Sequence, residues 1–223
     1  MTLDDMKRAS ANAALEYVLT GATIGVGTGS TAEFFIEALA ARPGQIAAAV
    51  ASSLAAAAAL RAAGIRVVDL EEASSLPLYV DGADEVDPHL RLIKGRGGAH
   101  TREKVLATAA ELFVCIVDES KLVDRLGGAP VPLEVVPMAR PLVARRLTAL
   151  GATVAERLGF ATDSGNAVLD AMGLDLSDPE GLEVELDAIP GVVECGIFAR
   201  RRADVVLVGT AAGPRSLSGR RTP

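Results

Sequence analysis

Short apolar runs alternate with helix-forming stretches through the first half of the chain, and this alternation limits the possible folds more than any other feature. Residues 4–19 read as an opening amphipathic helix, with Met6, Ala9, Ala13 and Tyr17 near helical spacing. A strand at 23–26, a glycine loop and a helix over 31–41 follow. A weak strand at 46–50 leads to an Ala-rich helix over 54–63, which Gly64 ends as a C′ glycine should. Strands are predicted at 66–70, 78–80 and 90–93, then a helix over 101–112 and a strand at 113–117. Strands alternating with helices of about ten residues specify an α/β fold, with a mostly parallel layered sheet and helices on both faces. Ligands in such folds bind outside the carboxyl ends of the strands, so the loops after those strands are where chemistry belongs.

Prolines at 130, 132, 137 and 141 change the pattern. Beyond them the order is a strand at 131–136, a helix over 141–150 stopped by Gly151, strands at 153–157 and 166–170, a helix over 179–189 and a strand at 192–198. That βαββαβ order is the ferredoxin-like split βαβ unit. A last strand at 204–208 returns to the main sheet. The expected organisation is an α/β domain of residues 1–129 and 203–223 with a smaller ferredoxin-like α+β domain at 130–202.

Composition narrows the function classes. The 223 residues carry 22 Lys and Arg against 29 Asp and Glu, a formal charge of −7, and no basic stripe, which argues against a nucleic-acid binder. The clusters Arg200–Arg201–Arg202 and Arg220–Arg221 read as solvated surface or a frayed terminus. Cys115 and Cys195 lie in apolar runs and read as small core residues, not as a disulfide or metal site. There is no signal-peptide pattern at the start and no charge-free apolar run of 18 residues, so the expected compartment is the cytoplasm.

Four polar segments follow strands. Gly25-Val26-Gly27-Thr28-Gly29-Ser30-Thr31 opens a helix, where glycines admit an anion, the helix N-terminus favours it, and Ser30 and Thr31 add hydroxyls. It matches neither a dinucleotide fingerprint nor a Walker loop, so a phosphate outside a nucleotide fits better. A plain N-cap at Ser30 or Thr31 would also explain it. Tyr79-Val80-Asp81-Gly82-Ala83-Asp84-Glu85-Val86-Asp87 packs four acids into seven positions. Asp81 and Asp84 are candidates for handling protons, against a metal loop or a solvated acidic turn. In Ile93-Lys94-Gly95-Arg96-Gly97-Gly98-Ala99-His100-Thr101-Arg102-Glu103, Thr101 suits an N-cap and Glu103 the first helical turn, where a carboxylate is favoured without any catalysis. Lys94 reads either as a surface charge or as a cation at the ligand-side end of a strand, next to glycines that cannot shield it. Lys121, in Val117-Asp118-Glu119-Ser120-Lys121, is a candidate to meet an anion held by the first loop, against a solvated lysine after a strand. His89 and His100, the only histidines, show no metal-pair or triad spacing and read as loop residues.

Taken together, GVGTGST, YVDGADEVD, LIKGRGGAHTREK, CIVDESK, PVPLEVVPMA and TDSGN resemble the type A ribose-5-phosphate isomerase family in order and spacing from about residue 23 to 209. The resemblance implies reversible conversion of D-ribose 5-phosphate to D-ribulose 5-phosphate through a cis-enediolate, in the non-oxidative pentose phosphate route, with no metal and no organic cofactor. It implies that Glu103 is the proton acceptor and that Asp81, Asp84 and Lys94 assist ring opening and stabilise charge on the oxygens. It implies that Thr28, Gly29, Ser30, Thr31 and Lys121 contact substrate and phosphate. Gly82, Ala83, Gly95, Arg96 and Gly97 match backbone positions of the binding loops. A homodimer, or a tetramer, is the implied assembly, with no nucleic-acid or membrane partner. Two positions depart from the family's pattern. Arg96 stands where Lys-Gly-Gly-Gly is common, and alanine within 55–59 replaces a threonine common shortly after Ser52-Ser53. A sugar-phosphate sensing module is the alternative of another class, but it should carry a DNA-binding helix pair or lack the catalytic acid.

Overall fold

The computed structural model describes residues 2–218; Arg220 and Arg221 lie outside them. In chain order the elements are α1 (Leu3–Ala13), β1 (Thr23–Val26), α2 (Ser30–Ala40), β2 (Ala48–Ala51), α3 (Leu54–Ala62), β3 (Leu78–Asp81), β4 (Glu85–Val86), β5 (Leu92–Ile93), α4 (His100–Ala109) and β6 (Leu112–Asp118). There follow β7 (Val131–Val135), α5 (Arg140–Ala149), β8 (Thr153–Glu156), β9 (Ala167–Met172), α6 (Pro179–Asp187), β10 (Val192–Cys195), β11 (Ile197–Phe198), β12 (Val205–Thr210) and β13 (Gly213–Ser218). The chain forms two compact units.

The first unit comprises residues up to 83, 102–122 and from 203 onward. Its sheet runs β13-β12-β6-β3-β1-β2. Every neighbouring pair is parallel except β12 with β13. Continuous apolar strands are what a sheet covered on both faces requires, and Ile24, Val26, Leu78, Val80, Val114 and Ile116 pack with Phe35 and Leu60 in one core. Local caps support the helices. Thr2 and Asp5 form a reciprocal capping box on α1, and Ser53 accepts from Ala56 N–H at the start of α3.

The predicted strand at 66–70 is absent as a ladder. Ala49 and Val67 form a single bridge, and the chain then enters a 3₁₀ turn, Leu70–Glu72. Asp69 and Glu72 cap that turn reciprocally, a local competitor to strand pairing.

The second unit comprises residues 84–101 and 123–202. Its four-stranded sheet, β10-β7-β9-β8, is antiparallel throughout. Numbered within the βαββαβ unit, the order is fourth, first, third, second, the arrangement expected of a split βαβ. Leu133, Val135, Val143, Leu147, Leu169 and Leu186 form its core. The predicted strand at 192–198 divides at Gly196, so that β10 pairs with β7 and β11 pairs with β5. A Cβ at Gly196 would stand 2.2 Å from the Lys94 carbonyl oxygen. Residues 84–101 belong here because β4, β5 and β11 form their own small sheet.

Candidate active site

In the first unit the loop after β1 wraps a carboxylate. Asp81 ends β3 and is fully buried. Its Oδ1 accepts from Thr28 N–H at 3.1 Å and from Gly82 N–H at 2.7 Å, and its Oδ2 accepts from the Tyr79 hydroxyl. This approach needs a glycine, because a Cβ on Gly27 would lie 1.8 Å from Asp81 Oδ1. Burial, and then the negative charges of Asp81 and Glu103, push the Tyr79 phenol well above its ordinary pKa. Tyr79 therefore stays a donor to Asp81 across the neutral range. Glu103, in the first turn of α4, is 4% exposed and close enough to act on Tyr79.

The same loop opens α2. Gly29 is the N-cap with φ of 95°, and no side chain caps the helix. A helix end presenting amides in this way favours an anion. The N-cap expected at Ser30 or Thr31 is displaced to Gly29, leaving Ser30 and Thr31 in the first turn. Ser53 Oγ donates to Thr28 Oγ1 at 3.0 Å. A Cβ on Gly82 would fall 4.0 Å from Thr31 Cβ and 3.7 Å from the Ile116 carbonyl, so the acidic segment and the glycine loop that opens α2 meet there. Lys121 closes the 3₁₀ turn Glu119–Lys121 just after β6 and is half-buried. Lys7, which sequence reasoning did not single out, also reaches this loop. Its Nζ donates to Ser30 Oγ at 3.1 Å, although nothing in the opening helix sets this lysine apart from a surface charge.

In the second unit Asp84 Oδ2 accepts from Arg96 N–H at 3.0 Å. Lys94 is 3% exposed, and its ammonium lies 5.6 Å from the centre of the Phe198 ring. Gly95 has φ of 109°, and a Cβ there would lie 2.7 Å from His100 Nδ1. Arg96 itself does not take a left-handed conformation; Leu90 is the one described non-glycine residue that does. The glycines beside it carry the turn, so the departure at 96 costs no backbone strain, and the Arg96 side chain is exposed.

His100 is no loop residue; it is the buried first residue of α4, and its Nε2 lies 3.1 Å from Glu134 N–H and 3.2 Å from the Glu194 carbonyl. Thr101 follows it in the helix, and its hydroxyl donates to buried Glu134. Glu134 also accepts from Thr162 Oγ1 and Asn166 Nδ2, each at 2.8 Å. A carboxylate satisfied by three donors can sit inside a strand. In sequence, Glu134 belongs to the segment PVPLEVVPMA, and Thr162 and Asn166 belong to TDSGN.

The remaining acids of the 81–87 segment are engaged by protein. Glu85 accepts from Gly127 N–H at 2.8 Å and from Ala129 N–H, and Asp87 pairs with Arg91 at 2.6 Å. Among the described residues one group, Asp187, Glu194 and Cys195, brings three ligand-type atoms within 4.8 Å of one another. It lies outside the loops above, and Asp187 and Glu194 both accept the Cys195 N–H.

The family model for ribose 5-phosphate isomerase A (phosphoriboisomerase A) matches residues 48–213. The chain belongs to this family. It is 53% identical over 213 residues to the ribose-5-phosphate isomerase A of Acidithiobacillus ferrooxidans, covering 96% of this chain and 97% of that protein. The crystal structure of ribose 5 phosphate isomerase A from Neisseria gonorrhoeae superposes with a TM-score of 0.95 at 47% identity, covering 97% of each chain. A D-ribose-5-phosphate isomerase in complex with phospho-erythronic acid gives a TM-score of 0.95 at 39% identity, covering 98% of this chain and 100% of that one. The mixed α/β class with its mostly parallel central sheet is that of these isomerases, and membership in an isomerase family removes the sensing-module alternative. No helix of the described residues is long and apolar enough to cross a membrane.

Proposed function

We propose that this chain interconverts D-ribose 5-phosphate and D-ribulose 5-phosphate in the non-oxidative pentose phosphate route, with Glu103 as the base. The observation that supports the reading is a buried carboxylate, Glu103, whose charge acts on Tyr79, the donor to Asp81 beside the helix-opening glycine loop.

The chemistry follows from what proton transfer beside a carbonyl needs. Glu103 removes the C2 proton of the open-chain aldose, and the electron pair forms a C1–C2 double bond while charge moves to O1. The O2 proton passes to O1, the carbonyl re-forms at C2, and Glu103 returns its proton to C1. A positioned general base contributes roughly 10²–10⁴-fold. Lys94 stabilises the enediolate oxygens, a preorganised charge of the kind that usually supplies the largest single effect. Asp81 and Asp84 serve ring opening. Thr28, Gly29, Ser30, Thr31 and Lys121 hold the phosphate, and Lys7, which donates to Ser30, joins them in this reading. Gly82, Ala83, Gly95, Arg96 and Gly97 shape the loops. Binding energy from the remote phosphate thereby orients the reacting carbons. The scheme is redox-neutral and calls on no cofactor. The same reading carries a homodimer in the cytoplasm.

The test is formation of ribulose 5-phosphate from ribose 5-phosphate by purified protein treated with a chelator. Turnover that survives chelation supports the reading, and folded protein without turnover removes it.

A further inference from the structure

We infer that Arg157, held by Asp170, is a positioning residue for Asp84 and acts through the backbone of Arg96. The inference rests on the isomerase reading above. Arg157 follows β8 and Asp170 lies on the neighbouring β9. Arg157 Nε donates to Asp170 Oδ2 at 2.7 Å and Nη2 donates to Oδ1 at 2.6 Å. This two-point fork fixes the plane of the guanidinium. Its remaining terminal nitrogen, Nη1, donates to the Arg96 carbonyl at 2.8 Å. Arg96 N–H donates in turn to Asp84 Oδ2 at 3.0 Å. Residue 96 is therefore gripped at both of its backbone polar groups, by Arg157 on one side and by the proposed ring-opening acid on the other.

Phe160 completes the clamp. Its ring centre is 5.8 Å from Arg157 Cζ, and a Cβ on Gly98 would stand 2.4 Å from Phe160 Cζ. The Arg157–Asp170 pair alone would tie β8 to β9 without Nη1, so the third hydrogen bond is spent on the loop. Lysine cannot reproduce this, because an ammonium lacks the planar fork that serves a carboxylate and a carbonyl together. A loop displaced by about 1 Å can lose about 10²-fold in rate, so the expected effect falls on turnover. The phosphate contacts lie on other loops.

The experiment compares wild type, Arg157→Ala, Arg157→Lys and a control, Arg125→Ala, which breaks the exposed Arg125–Asp175 pair of the same unit. Turnover and KM for ribose 5-phosphate are measured with thermal melting, with and without added guanidinium. Arg157→Ala is expected to lose about tenfold or more in kcat with KM changed by less than about twofold. Guanidinium should restore much of the loss, since the Arg157 side chain is 19% exposed. Arg157→Lys should stay impaired and the control should match wild type. If Arg157→Ala does not fold, the kcat of Arg157→Lys decides. An Arg157 variant within about twofold of wild-type kcat, or a loss in Arg157→Ala that guanidinium leaves untouched, overturns the inference. Wild-type protein without turnover instead removes the isomerase reading and this inference with it.

Discussion

In the loop after β1, Gly27 leaves room for a carboxylate: its missing Cβ would fall 1.8 Å from Asp81 Oδ1. In the loop after β5, Gly95 leaves room for an imidazole, and the missing Cβ would fall 2.7 Å from His100 Nδ1. The first glycine admits a group proposed to act on the substrate. The second admits one that fixes the loop itself. Glycine motifs that look alike in sequence thus serve different ends, one shaping a site directly and one bracing the strand end that carries Lys94.

Substitutions separate the two. Gly27→Ala is expected to have the larger effect, because Asp81 must move. A drop in kcat of about 10²-fold is expected, together with about 1–3 kcal/mol of overpacking seen as a lower Tm. Gly95→Ala strains φ of 109° and presses on His100. Its expected signature is a loss of about 1–3 kcal/mol in denaturant unfolding with about a tenfold fall in kcat. A Gly95→Ala enzyme more damaged in turnover than Gly27→Ala would reverse the comparison.

Tyr79→Phe sharpens the first half. It removes one donor to Asp81 and should lower kcat by several-fold only, since Asp81 keeps the Thr28 and Gly82 amide donors. The phenol also gives a pH signature. Its folded pKa lies above the unfolded value of about 10, so the folded state holds this proton after the unfolded state has released it. The stability from this group is complete below pH 10 and declines above it as pH rises toward the folded pKa. Thermal melts should show that alkaline decline in wild type and a smaller one in Tyr79→Phe. Arg96→Gly comes last. Since Arg96 needs no left-handed backbone, activity should stay within about twofold and stability should fall by about 0.5–1 kcal/mol from added chain entropy.

The parallel sheet was legible because its strands are short apolar runs ended by glycine and acidic loops, and polar residues concentrate where such strands stop. Asp81 and Lys94 stand out for that reason, whereas Glu103, in the first turn of α4, is explained by the helix alone until the resemblance to a family gives it a role. The supporting residues did not stand out. Glu134 and Asp170 sit inside strands that alternation assigns to packing, and Arg157 resembles any surface arginine until the fold brings it to the Arg96 carbonyl. Lys7 lies in the opening helix, far in sequence from the loop it touches. Likewise, the strand expected at 66–70 gave way to a capping box that periodicity cannot register. Long-range hydrogen bonds leave no local trace in composition or spacing.

The most direct test of the account is the rate of ribulose 5-phosphate formation by Glu103→Gln, with substrate binding measured on the same preparation. Glutamine keeps the shape and cannot accept the C2 proton. The account predicts a loss of about 10²–10⁴-fold in kcat with substrate still bound. Turnover near that of the wild type would contradict it.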